Sequence, residues 1–194
     1  MKVSQETRLN FLHYSRFILP IGVVAILIVV LTVGWITQPD RFAPGYAPEQ
    51  PIPYSHKLHA DGLKIPCQYC HSGVLKTRQA GIPAVAKCMN CHAVTKTDAP
   101  AIKQLTAIYN AGTPMPWRRI HSLPSYVFFD HRPHVHAGIL CQTCHGEVET
   151  METVEQKMSM RMSNCLGCHR DPQAALPRDS NIKKGAEHCN VCHQ

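Results

Sequence analysis

Ten cysteines in a chain of 194 residues fall into five pairs, each spaced C-x-x-C and each followed directly by a histidine. The motifs run Cys67-Gln-Tyr-Cys70-His71, Cys88-Met-Asn-Cys91-His92, Cys141-Gln-Thr-Cys144-His145, Cys165-Leu-Gly-Cys168-His169 and Cys189-Asn-Val-Cys192-His193, and no cysteine stands outside them. Two thiols at this spacing reach the vinyl groups on one edge of a porphyrin and form thioethers. The adjacent imidazole then falls beneath the metal as its proximal ligand. A single such pair would also suit a thioredoxin-like redox centre, a disulfide or half of a zinc site. A disulfide framework needs no histidine after every second cysteine, and zinc pairs come in twos. Five repetitions therefore predict five covalent haem c groups, with the ten cysteines as attachment sites and His71, His92, His145, His169 and His193 as proximal ligands.

This expectation changes how charge and fold are read. The net charge of +7 would otherwise suggest a nucleic-acid or membrane-surface patch. From residue 41 onward there are 17 Lys and Arg against 11 Asp and Glu. The propionate pair carried by each haem would largely offset that excess, so it is expected to be internal compensation, and no nucleic-acid partner is expected. With porphyrin supplying much of the interior, the fold should be a multihaem cytochrome c: mostly irregular chain and short α-helices wrapped around haems, with negligible sheet.

Phe17 to Ile36 is a run of 20 residues without a charge, long enough at helical rise to cross roughly 30 Å of hydrocarbon. It is expected to be an uncleaved transmembrane anchor, because the run exceeds a signal-peptide core and no small-x-small cleavage site follows it. Lys2, Arg8 and Arg16 precede it, and Arg41 alone follows closely. The positive-inside rule then puts residues 1–16 in the cytoplasm and the haem-bearing part on the periplasmic or external side of the inner membrane. Residues 37–53 contain five prolines and should form an extended stalk or a surface-hugging arm. The cytochrome domain is expected over 54–194. Its clearest helix is Ala99 to Ala111, with Asp98 as a possible N-cap, Ile102, Leu105 and Ile108 on one face and Gly112 beyond the end.

An internal repeat divides this domain into two modules. Tyr54-Ser-His56-Lys-Leu-His59 precedes Cys67 and Phe129-Asp-His131-Arg-Pro-His134 precedes Cys141. His56 and His131 can fold back over the haem that follows, while His59 and His134 are expected to reach a different haem. With His121, these make five distal candidates for five irons. His13, His136 and His188 are expected to be surface residues. Met162, in the methionine cluster before Cys165, is an alternative ligand that would raise the potential of its haem. Enough distal groups exist to close every iron, which favours electron relay over bond chemistry and leaves no catalytic residue to name.

The stretches Arg119-Ile-His121-Ser-Leu-Pro-Ser-Tyr-Val-Phe-Phe-Asp-His131-Arg-Pro-His134 through His145-Gly146, and Met162-Ser-Asn-Cys165-Leu-Gly-Cys168-His169-Arg-Asp-Pro172, resemble the pentahaem cytochrome c subunit of alternative complex III. The likeness extends over about residues 50–194. It implies a non-catalytic subunit that relays electrons from quinol-oxidising integral-membrane subunits to an acceptor such as cytochrome c. It also implies an iron–sulfur subunit and a monohaem cytochrome as partners. His136 departs from the family pattern, where a small polar residue is usual. Two rivals are a membrane-anchored quinol dehydrogenase acting directly at a haem, and a nitrite- or hydroxylamine-type reductase with an open iron.

Overall fold

A computed structural model describes residues 13–37, 44–177 and 181–194. Most of the expected cytoplasmic segment and residues 38–43 of the proline-rich segment lie outside the described residues. The chain divides into two units, Met1–Asp40 and Arg41–Gln194.

The described residues of the first unit form one apolar helix. A π-helical turn, Tyr14–Ile18, runs into α1, Leu19–Ile36, giving a 23-residue span of Tyr14–Ile36 with a mean hydropathy of 2.9. The helix therefore starts three residues earlier than the charge-free run. Pro20 sits in the first turn of α1, where the absent N–H has no intrahelical partner to lose. Apolar side chains are exposed all round it, as Leu19, Ile26, Leu31 and Ile36 show. No polar face is set aside for water, which suits a lipid surround.

The second unit consists of short helices and irregular chain. Four of the five C-x-x-C-H motifs lie in helical turns: α2, Cys67–Cys70; α3, Val85–His92; α6, Gln142–His145; and α7, Met162–Arg170. The fifth forms α9, Cys189–Cys192. One turn of helix brings residues i and i+3 onto one face, so the two thiols of each motif can share one porphyrin edge. Two further helices are α4, Pro100–Asn110, and α5, His131–His136, and α8, Pro172–Ala175, follows α7. Among the described residues, β-pairing is limited to the isolated bridge between Val127 and His193.

Helix α4 begins one residue inside the expected start. Ala99 is the N-cap, without a side-chain bond, so Asp98 does not cap it. Leu105 is almost fully buried against Ile52 and Met115, with Ile102 and Ile108 packed beside it. Gly112 ends the segment at φ 65, a conformation that glycine adopts without a Cβ clash.

The proline-rich segment is no free stalk from Pro44 on. The Gly45 N–H donates to the Gln156 carbonyl (2.7 Å), and the Gln156 N–H donates to that of Tyr46 (3.0 Å). The Gln50 side chain bonds to the backbone of Arg118, and Ile52 enters the small core. These contacts make 44–53 a strap on the haem-bearing unit.

Candidate haem-binding site

Buried hydrophobic side chains among the described residues are few: Ile52, Val74, Leu105 and Met115. A unit of this length normally hides most of its apolar surface in a core of its own. Here open clefts lie beside the motifs in place of such a core. A cleft of about 530 Å³ beside Cys70, bounded by Ser72, Gly73, Gly81, Ile82 and Lys87, is one such cradle. None of the ten cysteines is in a disulfide.

The histidines are held in a consistent way. Nδ1 of His71 donates to the Gly81 carbonyl (2.6 Å), that of His92 to Thr95 (3.1 Å) and that of His169 to Ala186 (2.6 Å). Upstream of the motifs, His59 donates to Ser55 (2.8 Å), His131 to Arg78 (3.1 Å) and His134 to Asp130 (2.8 Å). A carbonyl can only accept, so Nδ1 carries the proton and Nε2 is left with its lone pair. That is the tautomer a metal requires, fixed by the bond at the far nitrogen. Burial, followed by the neighbouring His71 and His59, pushes His56 down to about 4. Burial, followed by His121, His131 and His71, does the same to His145. Both rings are thereby kept neutral and able to ligate.

Upstream and motif histidines also face one another. An imidazole–metal–imidazole unit with bonds of about 2 Å separates the ring centres by about 6 Å. The ring centres are 6.2 Å apart for His59 and His92, 6.4 Å for His131 and His145, and 6.0 Å for His134 and His169. His56 lies near enough to His71 for the two imidazoles to influence one another. The donor set and its spacing fit haem at these positions.

His121 and Met162 are placed differently. The Nε2 of His121 lies 3.3 Å from the Nδ1 of His145, the nitrogen turned away from the metal side, and the rings meet edge-on at 4.5 Å. Met162 is the first residue of α7 with its side chain exposed, and the ring facing His169 belongs to His134. At His193 the stacked neighbour is Tyr126, with ring centres 5.9 Å apart. His13, His136 and His188 are all exposed, as expected of surface residues.

The motifs are brought together out of chain order. Burial raises the Cys88 thiol, with Cys70 as the next cause, so the second motif lies against the first. The Asn90 amide also donates to the Tyr69 hydroxyl (3.2 Å), and Lys87 sits 4.8 Å over the Tyr69 ring. Burial and then Cys67 raise Cys141, placing the first motif against the third. Burial, then Cys168 and Cys165, raise Cys144, and burial, then Cys192, raises Cys165. The Phe128 N–H and the Cys192 carbonyl (2.6 Å) tie the fifth motif to the start of the second module. These neighbours link the second motif to the first, the first to the third, the third to the fourth and the fourth to the fifth.

Several supporting groups left no trace in the sequence. Arg78 joins the modules: its Nε donates to the Phe129 carbonyl (2.9 Å), its guanidinium lies 4.0 Å above the Phe128 ring, and its carbonyl holds His131. Gly185 packs so closely on His169 that a Cβ there would stand 2.6 Å from the ring. Carbonyl partners are carried by any residue type, which is why Gly81, Thr95 and Ala186 could not be singled out. Gly185 is legible only as a glycine in an unstructured stretch.

Comparison with known proteins defines the class. Residues 33–116 match the class III cytochrome c family, and residues 127–194 match cytochrome c7 and related cytochromes c. The two matches divide where the internal repeat divides the chain. A relative from Nitratidesulfovibrio vulgaris is 30% identical over 190 residues, covering 87% of each chain, and is described as the multihaem cytochrome c subunit of a menaquinone reductase. The chain belongs to this family of multihaem cytochrome c subunits, carries covalent c-type haem and works in electron transfer.

Proposed function

We propose that this chain is the electron-relaying subunit of a membrane quinone-linked complex and binds five haems in one continuous row. Haem supplies reversible one-electron exchange at its iron. The ten cysteines of the five motifs tether it, and His71, His92, His145, His169 and His193 hold the proximal side. His56, His59, His131 and His134 hold the distal side over the first, second, third and fourth motifs, in that order. Two of these pairings join an upstream histidine to the next motif along the chain, which locks neighbouring haems in place with one short helix.

The observation that carries the reading is the contact order of the motifs. It makes the second and fifth motifs the ends of the row and leaves the other three inside it, so the ends are where partners exchange electrons. Helix α1 anchors the chain in the inner membrane with the cytochrome unit outside. A single helix encloses no quinone pocket, so the quinone site belongs to other subunits. Following the alternative complex III resemblance, those partners are integral-membrane quinol-oxidising subunits with an iron–sulfur subunit and a monohaem cytochrome, and the acceptor is cytochrome c or a similar protein. The description of the Nitratidesulfovibrio relative favours a second reading, in which electrons run inward and the complex reduces menaquinone.

Purification in mild detergent tests both. Five haems per chain and co-migrating polytopic subunits are expected. Reduction of the haems by menaquinol, with onward reduction of cytochrome c, supports the outward direction. Menaquinone reduction from a reduced soluble cytochrome supports the inward one. Fewer than five haems, or quinol oxidation by the isolated chain, would overturn the relay.

A further inference from the structure

Among the motif histidines, His145 is bonded differently from His71, His92 and His169. His71, His92 and His169 each give the Nδ1 proton to a backbone carbonyl that the chain delivers further on, 10, 3 and 17 residues later. After His145 the chain turns away at Gly146, with φ 71. The partner of His145 comes instead from 24 residues upstream, as the imidazole of His121. Both rings are half-buried.

We propose that His121 is a positioning and tuning residue for the third haem, acting through His145, and not an iron ligand. The inference rests on the reading of His145 as a proximal ligand. With Nε2 of His145 on the metal, its Nδ1 must carry a proton, and the lone pair within reach is that of His121 Nε2 (3.3 Å). The proton of His121 is then on its own Nδ1. An imidazole nitrogen is a far more basic acceptor than an amide oxygen, so it draws the His145 proton harder and gives the ring more imidazolate character. A more electron-rich proximal ligand favours the ferric state and lowers the potential. The same bond fixes the rotation of the His145 ring, whose other face looks across to His131. Because the third motif is the centre of the row, His121 sets the level that every electron passing between the two modules must cross.

The test uses the full chain in detergent, with His121→Leu, which removes the acceptor, and His121→Gln, which offers an amide oxygen. Wild-type protein is first shown to hold five haems; a shortfall there sinks the relay reading itself. In His121→Leu, every haem keeps its wild-type spin state by electron paramagnetic resonance, and one midpoint potential rises in a spectroelectrochemical titration while the rest hold. His121→Gln brings that potential part of the way back. A high-spin haem in either variant that the wild type lacks would make His121 an iron ligand and overturn the proposal. Unchanged potentials, or loss of the third haem from both variants, overturn it equally.

Discussion

The two halves of the cytochrome unit use the same device with one residue of difference. In the first, Tyr54 meets His56 edge-on at 4.8 Å and stacks on His59 at 4.5 Å; in the second, Phe129 meets His131 edge-on at 4.8 Å and lies at 4.8 Å from His134. His59 and His134 bond the carbonyl four residues back at the same 2.8 Å. Between the second histidine of the pair and the following cysteine, however, the first module has seven residues and the second six. The extra residue is absorbed as π-helix, Lys57–Gly62, where the second module has the α-helix His131–His136 capped by Asp130. A π-turn is the cheapest way to take in one residue without rotating the ligands at either end. Three residues before each motif the chain takes a positive φ, at Gly138 in one module and at Lys64 in the other. Ligand geometry is thus held constant while the connecting helix adapts.

The comparison breaks first at its ligands. His59→Ala and His134→Ala should each convert one low-spin haem into a high-spin one and leave the others unchanged. Electron paramagnetic resonance of the oxidised proteins checks this, and equal effects in both modules are expected if the repeat is a functional one. Next is the support behind the fourth haem. Gly185→Ala forces a methyl against the His169 ring, and should cost about 1–3 kcal/mol in thermal unfolding and perturb one haem in the visible spectrum. Arg78→Ala separates the modules. The loss of its bond to Phe129 and its position over Phe128 should cost about 1–2 kcal/mol, read by denaturant titration. The smallest effect sharpens the comparison. Lys64→Gly gives the first module the turn residue of the second, and should stabilise it by roughly 0.5 kcal/mol, because glycine adopts a positive φ without the Cβ clash.

Haem chemistry was legible because it is local. A thioether pair and its imidazole need three fixed positions in six residues or fewer, so Cys67, Cys70 and His71 announce themselves without any fold. The apolar helix was legible for a similar reason: 20 uncharged residues in a row have few alternatives to one long helix. The helix at Pro100–Asn110 followed from its periodicity, though its cap did not, because Ala99 begins the helix with no side-chain signal at all.

What composition and spacing left open was everything that depends on how distant segments meet. The repeat marked His56, His59, His131 and His134 as ligand candidates, but which ring faces which motif is decided where the helices pack. His121 shows the limit most clearly: its residue type suits an iron, and its position puts it against the Nδ1 side of His145. The proposed row order, with the second motif at one end and the first inside, rests on the Asn90–Tyr69 bond and on the nearness of Cys67 to Cys141, which chain order would not suggest. By itself the sequence determined that this protein carries covalent porphyrin and one long apolar helix, since those properties reside in short runs of covalent or hydrophobic chemistry. Only the tertiary structure decided which motifs lie side by side and which group each histidine meets, because both depend on how segments distant in the chain pack together.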